Sequence, residues 1–225
     1  MRQRRSFLLG VLSMAWMGLA WAQASSATSL DGLELLGQFM QQVRSGRAQF
    51  TQVVTSVPRA GQPLRSKTSS GTLEFQRPGR LRFVYSKPFV QTLVADGQTL
   101  WLHDVDLNQV TARKQSQALG NTPLALLTSA ADIQALHKDF QLRPEPARDG
   151  LQWLKAIPKA SDGTVQSVLV GLRAAEKGPE LVVLDVQDNL GQRSVLTFSA
   201  QQTNPALSAD TFVFRPPAGA DVIRP

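Results

Sequence analysis

Residues 71–85 read GTLEFQRPGRLRFVY, two runs of alternating apolar and polar side chains separated by Pro78 and Gly79. Successive side chains of an extended strand point to opposite faces of a sheet, and a Pro-Gly pair is typical of a turn. The apolar side chains of both runs therefore share one face: Leu73, Phe75, Leu81, Phe83 and Tyr85. The stretch predicts an antiparallel β-hairpin with a broad apolar surface.

The same period of two recurs on both sides of this hairpin. Apolar and β-branched residues predict further strands at 50–54, 89–95, 99–102, 109–113, 140–142, 151–157, 165–172, 181–186, 194–200 and 211–214. Asp96-Gly97 and Asp149-Gly150 indicate hairpin turns. The polar residues 58–70, which include two prolines, predict a long loop. Roughly ten short strands with hairpin-length links predict an antiparallel sheet curled into a partial or complete barrel.

Two segments have helical rather than strand periodicity. Residues 30–43 carry an apolar stripe at helical spacing, and Gly46 is expected to end that helix. The stripe comprises Leu33, Leu36, Met40 and Val43, with Leu30 and Phe39 beside it. A second, short and unusually apolar helix is expected near residues 122–127, where Thr122 can cap the N-terminus and Pro123 can occupy the first turn. Both helices are expected to cover the apolar face of the sheet.

The N-terminal residues have the pattern of an export signal. Three arginines among residues 2–5 precede the apolar run 7–20, and Ala20-Trp21-Ala22 offers the small-x-small pattern of a cleavage site. The apolar run is short for a membrane span, although an uncleaved anchor is the alternative. We therefore expect a cleavable signal peptide at 1–22, a single domain at 23–225 and a periplasmic location.

Composition argues against several classes of protein. The chain of 225 residues contains no cysteine and two histidines, which excludes disulfides, thiolate metal sites and cysteine nucleophiles. Its formal charge of +7 falls when the signal arginines are removed, and the remaining excess is scattered, so nucleic-acid binding is not expected. No nucleophile elbow, phosphate loop or dinucleotide fingerprint is present, and we expect neither an enzyme nor a cofactor.

One segment opens like a calcium-binding loop. Residues 104–108 read DVDLN, but the loop would need glycine at Gln109 and a bidentate carboxylate at Gln115. We expect a polar turn between strands and no metal site.

Arg77 is the anomaly of the first hairpin. Its parity places it on the apolar face with Leu73 and Phe75. A buried guanidinium needs acceptors, and its five donors suit backbone carbonyls at a helix end or in a loop. Alternatively, the strand ends before Arg77 and the side chain reaches water. Parity alone leaves both possibilities open.

Motifs along the whole chain, in order, carry a resemblance to a known family. They include FTQ at 50–52, GTL at 71–73, RPGRLRF at 77–83, DG at 96–97, LW at 100–101, QVT at 109–111, GNTP at 120–123, LL at 126–127, PK at 158–159 and FVF at 212–214. These segments resemble LolA, the family of periplasmic outer-membrane lipoprotein carriers. The resemblance implies a mainly β (α+β) fold: an incomplete antiparallel β-barrel with an N-terminal helix and a short helical lid over an apolar cavity.

The resemblance also implies partners and site residues. A carrier of this family accepts triacylated lipoproteins from an inner-membrane ABC transporter, shields their acyl chains and passes them to an outer-membrane receptor. The lid-latching arginine of the family falls on Arg77, and the implied lid residues are Leu124, Leu126, Leu127 and Thr128. The expected acyl-chain cavity is lined by Leu33, Leu36, Met40, Leu73, Phe75, Leu81, Phe83 and Trp101. We expect a monomer.

Other roles were weighed against the carrier. The receptor of the same pathway should be a lipoprotein, and the missing cysteine argues against it. A periplasmic lipid-binding domain with another role remains an alternative, as does a lipid esterase, although neither His103 nor His137 has a recognisable serine partner.

Overall fold

The computed structural model describes residues 30–57, 63–119, 124, 127, 133–160 and 163–224. The strands are β1 Ser45–Thr55, β2 Ser66–Gln76, β3 Arg80–Lys87, β4 Gln91–Asp96, β5 Thr99–Asp104, β6 Gln109–Lys114, β7 Phe140–Arg148, β8 Leu151–Pro158, β9 Val165–Ala175, β10 Gly178–Asp188, β11 Arg193–Thr203 and β12 Asp221–Ile223. The helices are α1 Gly32–Gln42, α2 Gln115–Leu119 and α3 Ile133–Asp139, with a 3-10 turn at Ala209–Phe212.

These strands form one sheet in the order β12-β6-β5-β4-β3-β2-β1-β11-β10-β9-β8-β7. Neighbouring strands are antiparallel, except that β12 pairs in parallel with β6. In the described part of the chain the edge strands β12 and β7 are not bonded to each other, so the sheet is open. The predicted mainly β, incomplete antiparallel barrel is confirmed.

The sheet curls around an apolar interior. Leu93 on β4 and Leu184 on β10 line the same pocket, although β3, β2, β1 and β11 lie between their strands. Hairpin connections alternate between the two ends of the curled sheet. We call the end that carries the β1–β2, β3–β4 and β10–β11 connections the mouth. The turn that contains Arg77 lies at the opposite end.

Helix α1 lies inside the curve and packs against β7, β8, β9 and β10. It begins with a capping box, because the Asp31 carboxylate accepts the Leu33 and Glu34 N–H groups at 2.8 Å while Glu34 accepts the Asp31 N–H at 3.0 Å. A Cβ at Gly32 would collide with the Trp153 carbonyl oxygen, so this glycine permits close approach of helix and sheet. None of the helices in the described ranges is long and apolar enough to cross a bilayer.

Two details of the predicted first helix are corrected. The helix ends at Gln42, and Gly46 lies within β1, where a Cβ would collide with the Phe75 ring. This glycine therefore makes room for an aromatic ring and does not end the helix. The buried face also includes Leu35, which is 1% exposed, whereas Leu33 is half-buried at the margin of the core.

Two predicted boundaries in the sheet are also wrong. Strand β2 already begins at Ser66, inside the predicted loop 58–70, because residues 66–70 pair with β1 through their backbone. The strand expected at 211–214 is replaced by the 3-10 turn followed by extended chain, and the last strand lies later, at β12.

Candidate functional site

Arg77 opens the turn between β2 and β3, and its side chain points into the interior with only 7% exposure. Its backbone N–H donates to the Arg44 carbonyl at 2.8 Å, which fixes the turn beside the end of α1. Of the two possibilities left open by parity, the structure shows the inward one.

The Arg77 guanidinium lies among carbonyls of two separate segments. Nη1 donates to the carbonyl oxygens of Val43 at 2.8 Å, Phe39 at 3.2 Å and Met40 at 3.3 Å. Nε donates to the Leu127 carbonyl at 3.1 Å. The last carbonyls of a helix lack intrahelical partners and carry partial negative charge, so they suit a cation. Arg77 therefore joins the C-terminal end of α1 to the segment that contains Leu127.

Aromatic rings complete the surroundings of this charge. The guanidinium carbon lies 4.8 Å from the centre of the Phe39 ring and 5.6 Å from that of Phe75, within the range of cation–π attraction. Burial, and secondarily the charge of Arg44, lowers the pKa of Arg77 to about 10. The side chain is therefore still cationic at neutral pH.

Most of the predicted cavity residues belong to one buried cluster. Its members from α1, β2 and β3 are between 0 and 6% exposed: Leu36, Met40, Leu73, Phe75, Leu81 and Phe83. Leu33 packs against this cluster from outside. Helix α1 occupies the curve of the sheet at this depth, so most of the interior here is filled by side chains of the cluster.

Open space lies nearer the mouth. A pocket of about 230 Å³ is lined mainly by apolar side chains: Phe83, Leu93, Leu124, Leu184, Val186 and Leu196, together with Gln52, Tyr85 and Ser194. For comparison, an engineered cavity of about 150 Å³ accommodates one benzene molecule. The pocket is too small for several long acyl chains, so such a ligand would require α1 or the Leu124–Leu127 segment to move.

The structure corrects the prediction that Trp101 lines the cavity. Its ring packs against Phe214 at a centroid distance of 5.5 Å, and its indole N–H donates to the Asp96 carboxylate at 3.0 Å. Trp101 pairs across the sheet with Val94 and Ala112, which are buried outside the interior cluster. These side chains form a separate layer between the outer face of the sheet and the C-terminal segment.

The predicted lid falls only partly within the described residues. Leu124 lines the pocket, Leu127 is 1% exposed, and the Leu127 N–H donates to the Leu124 carbonyl at 3.0 Å. Leu126 and Thr128 lie outside the described residues, as do Thr122, Pro123 and the expected signal peptide 1–22.

Sequence reasoning predicted β10 and β11 as strands but did not assign their residues to the far wall of the pocket. Leu184 and Val186 on β10 and Leu196 on β11 alternate with residues of the other face, but they were not assigned to the cavity. Alternation within each strand could have shown that these residues share a face. Only the sheet order shows that this face lies opposite Phe83. In the described ranges, no three acidic or histidine side chains are grouped as a metal site.

Comparison with known proteins identifies the family. The family described as "Outer membrane lipoprotein carrier protein LolA" matches residues 41–215. The chain belongs to the LolA family. A LolA-family relative from Albidiferax ferrireducens, named outer-membrane lipoprotein carrier protein, is 58% identical over 93% of this chain and 95% of its own length. A relative of the same name from Leptothrix cholodnii is 45% identical over 99% of this chain and 98% of its own length.

A solved structure shows the same LolA-type fold at low sequence identity. It is an uncharacterized conserved protein from Thermus thermophilus, with a TM-score of 0.53 and 12% identity, covering 84% of this chain and 95% of that one. The resemblance predicted from the motifs is confirmed.

Proposed function

We propose that this LolA-family protein is a periplasmic chaperone that shields the acyl chains of triacylated lipoproteins. It accepts them from an inner-membrane ABC transporter and delivers them to an outer-membrane receptor. Residues 1–22 direct export and are removed, and residues 23–225 act as a monomeric carrier. The curated relatives named lipoprotein carrier, which align over nearly the whole chain, support this role.

The energetics of acyl chains explain why such a carrier needs a closable interior. Each buried methylene contributes about 0.8 kcal/mol, so three long chains cannot cross an aqueous compartment exposed. A carrier that gained all of this energy would release its cargo too slowly. An opening step that costs free energy offsets part of the gain and makes release feasible.

Arg77 supplies that cost, and its contacts are the observation that carries the proposal. Its guanidinium bonds both the carbonyl end of α1 and the carbonyl of Leu127, beside an interior whose apolar pocket is about 230 Å³ among the described residues. Admitting acyl chains requires these segments to separate, which breaks hydrogen bonds to a buried cation. We therefore assign Arg77 as the latch, Leu124, Leu126, Leu127 and Thr128 as the lid, and the interior cluster as the acyl-chain surface.

Reconstituted transfer tests this assignment. In Arg77→Leu the latch is absent, so we expect normal or tighter loading of a triacylated lipoprotein but at least tenfold slower transfer to the receptor. The matched control is Arg143→Leu, because Arg143 is exposed on the edge strand β7, six strands away from β2 in the sheet order. Transfer by Arg77→Leu at the wild-type rate would refute the latch. Failure of the wild-type protein to load any acylated cargo would refute the carrier function itself.

A further inference from the structure

A second, larger pocket adjoins the apolar one at the mouth. It has a volume of about 560 Å³ and a mixed lining that includes Lys67, Asp104 and Asp106. Gln52 and Tyr85 line both pockets, so they lie where the apolar interior meets this polar vestibule.

Three side chains form a hydrogen-bonded chain at this boundary. The Tyr85 hydroxyl donates to Gln52 Oε1 at 3.1 Å, and Gln52 Nε2 donates to the Ser194 hydroxyl oxygen at 2.8 Å. They come from β3, β1 and β11, respectively, which lie on the curved wall of the sheet. We call Tyr85, Gln52 and Ser194 the polar belt.

The polar belt occupies a defined depth. Each member lies two residues closer to the mouth than an apolar interior residue of its own strand: Phe83, Phe50 and Leu196. Side chains two apart in a strand share a face, so the belt residues also face the interior. They form a layer next to the apolar cluster, on the side nearer the mouth. The Tyr85 ring also packs edge-on against Phe50 at 4.9 Å, which holds the hydroxyl at this level.

The belt residues are half-buried, so their polar groups lose part of their hydration, and a binding surface for hydrocarbon needs no such groups. The ligand of the proposed function has polar atoms at one particular depth. Its acyl chains are hydrocarbon, whereas the linkages that join them to glycerol and to the peptide are esters and an amide. If the chains fill the pocket and the peptide leaves through the vestibule, these carbonyls pass the level of Tyr85 and Gln52.

We propose that the polar belt binds the ester and amide carbonyls of an acylated ligand. The inference rests on the carrier function and adds the chemistry by which this chain distinguishes an acyl ester from bare hydrocarbon. The Tyr85 hydroxyl, the Gln52 amide and the Ser194 hydroxyl all carry donors, and a carbonyl oxygen is an acceptor. On binding, the hydrogen bonds within the belt are exchanged for hydrogen bonds to the ligand. Burial raises the pKa of Tyr85, so its phenol remains a donor at physiological pH.

The test compares an ester ligand with its matched ether analogue and with a hydrocarbon probe. The mature protein is titrated with a synthetic triacylated lipopeptide, with its analogue in which ethers replace the esters, and with diphenylhexatriene, a hydrocarbon probe. Tyr85→Phe and Gln52→Leu remove belt donors without adding bulk. Gln49→Leu is the control, because Gln49 lies on β1 but is exposed on the other face. Thermal melting verifies that each variant is folded.

We expect each belt variant to bind the ester lipopeptide about three- to tenfold more weakly, in line with the loss of one hydrogen bond. Binding of diphenylhexatriene should be unchanged, and the wild-type protein should bind the ether analogue as weakly as the variants bind the ester. Equal losses for all three ligands, or equal affinity of the wild type for ester and ether, would overturn the proposal. If the wild-type protein bound no lipopeptide at all, the carrier function would fail, independently of the belt.

Discussion

Nη1 of Arg77 lies 2.8 Å from the carbonyl oxygen of Val43, the residue that caps the C-terminal end of α1. The last turn of α1 contains no basic residue of its own. A cation from the β2–β3 turn therefore compensates the negative end of this helix, and the same guanidinium reaches Leu127. The Arg77 side chain thus holds the C-terminal end of α1 and Leu127 next to each other.

Replacing Arg77 by lysine tests whether the latch needs the planar guanidinium group or only a positive charge. An ammonium is a point charge on a flexible stem and cannot reproduce the separate directions of Nε and Nη1. We expect Arg77→Lys to lower the free energy of unfolding by about 1–3 kcal/mol, and to slow the displacement of a bound hydrocarbon probe because a weaker latch offsets less of the burial gain. Urea unfolding and stopped-flow probe displacement measure these effects. Unchanged values for both would show that charge alone suffices.

The single tyrosine offers a direct pH titration. Burial raises the pKa of Tyr85 above its ordinary value of 10.0, and the chain contains no other tyrosine, so the phenolate absorbance reports this residue alone. The phenolate should form at higher pH in the folded protein than in urea. Since the folded state favours the neutral phenol, the stability contributed by Tyr85 is complete below about pH 10 and is lost at higher pH. Coincident titrations in folded and unfolded protein would contradict its burial.

Asn204 joins α1 to the end of the sheet. Its Oδ1 accepts the Arg44 N–H at 2.7 Å, its Nδ2 donates to the Gln42 carbonyl at 2.9 Å, and its backbone φ is 53°. Asn204→Gly retains the backbone conformation but loses the side-chain bonds, so we expect a loss of about 1–3 kcal/mol in unfolding free energy. Asn204→Ala adds backbone strain of about 1 kcal/mol. A glycine variant less stable than the alanine variant in urea would contradict this ordering.

Phe214 tests the outer layer. Phe214→Ala removes the ring that covers Trp101 and His103, so we expect unfolding free energy to fall by about 1–2 kcal/mol and tryptophan fluorescence to shift to longer wavelength. Affinity for diphenylhexatriene should remain at the wild-type value, because this layer lies outside the interior. A comparable loss of probe binding would place Trp101 near the ligand after all.

The first hairpin shows what local sequence can establish. Alternation over residues 71–85 predicts both strands, the turn and the face shared by Arg77 and Phe75, because a period of two is a property of the backbone itself. Parity left the inward and the water-exposed directions of Arg77 both open, and the structure shows the inward one. The acceptors of its guanidinium lie on α1 and at Leu127, far along the chain, and only the fold reveals them.

Trp101 shows where the same reasoning fails. Leu100, Trp101 and Leu102 are consecutive apolar residues, so alternation separates their faces but does not say which face is interior. The answer depends on the C-terminal segment, which supplies Phe214 as a second apolar cover. The start of β2 at Ser66 was missed for a different reason: its polar residues are held by backbone pairing with β1, which side-chain pattern does not record.

The unclosed sheet has a mechanical consequence for the proposed carrier function, in which the interior enlarges to take up acyl chains. In a closed barrel any increase in girth breaks a ladder of inter-strand bonds. Here, within the described ranges, β12 and β7 share no such ladder, so the wall can widen at this seam while its other strands stay paired. Enlarging the interior then breaks side-chain contacts with α1 and Leu127 instead of strand pairing, and these contacts re-form once the ligand has left.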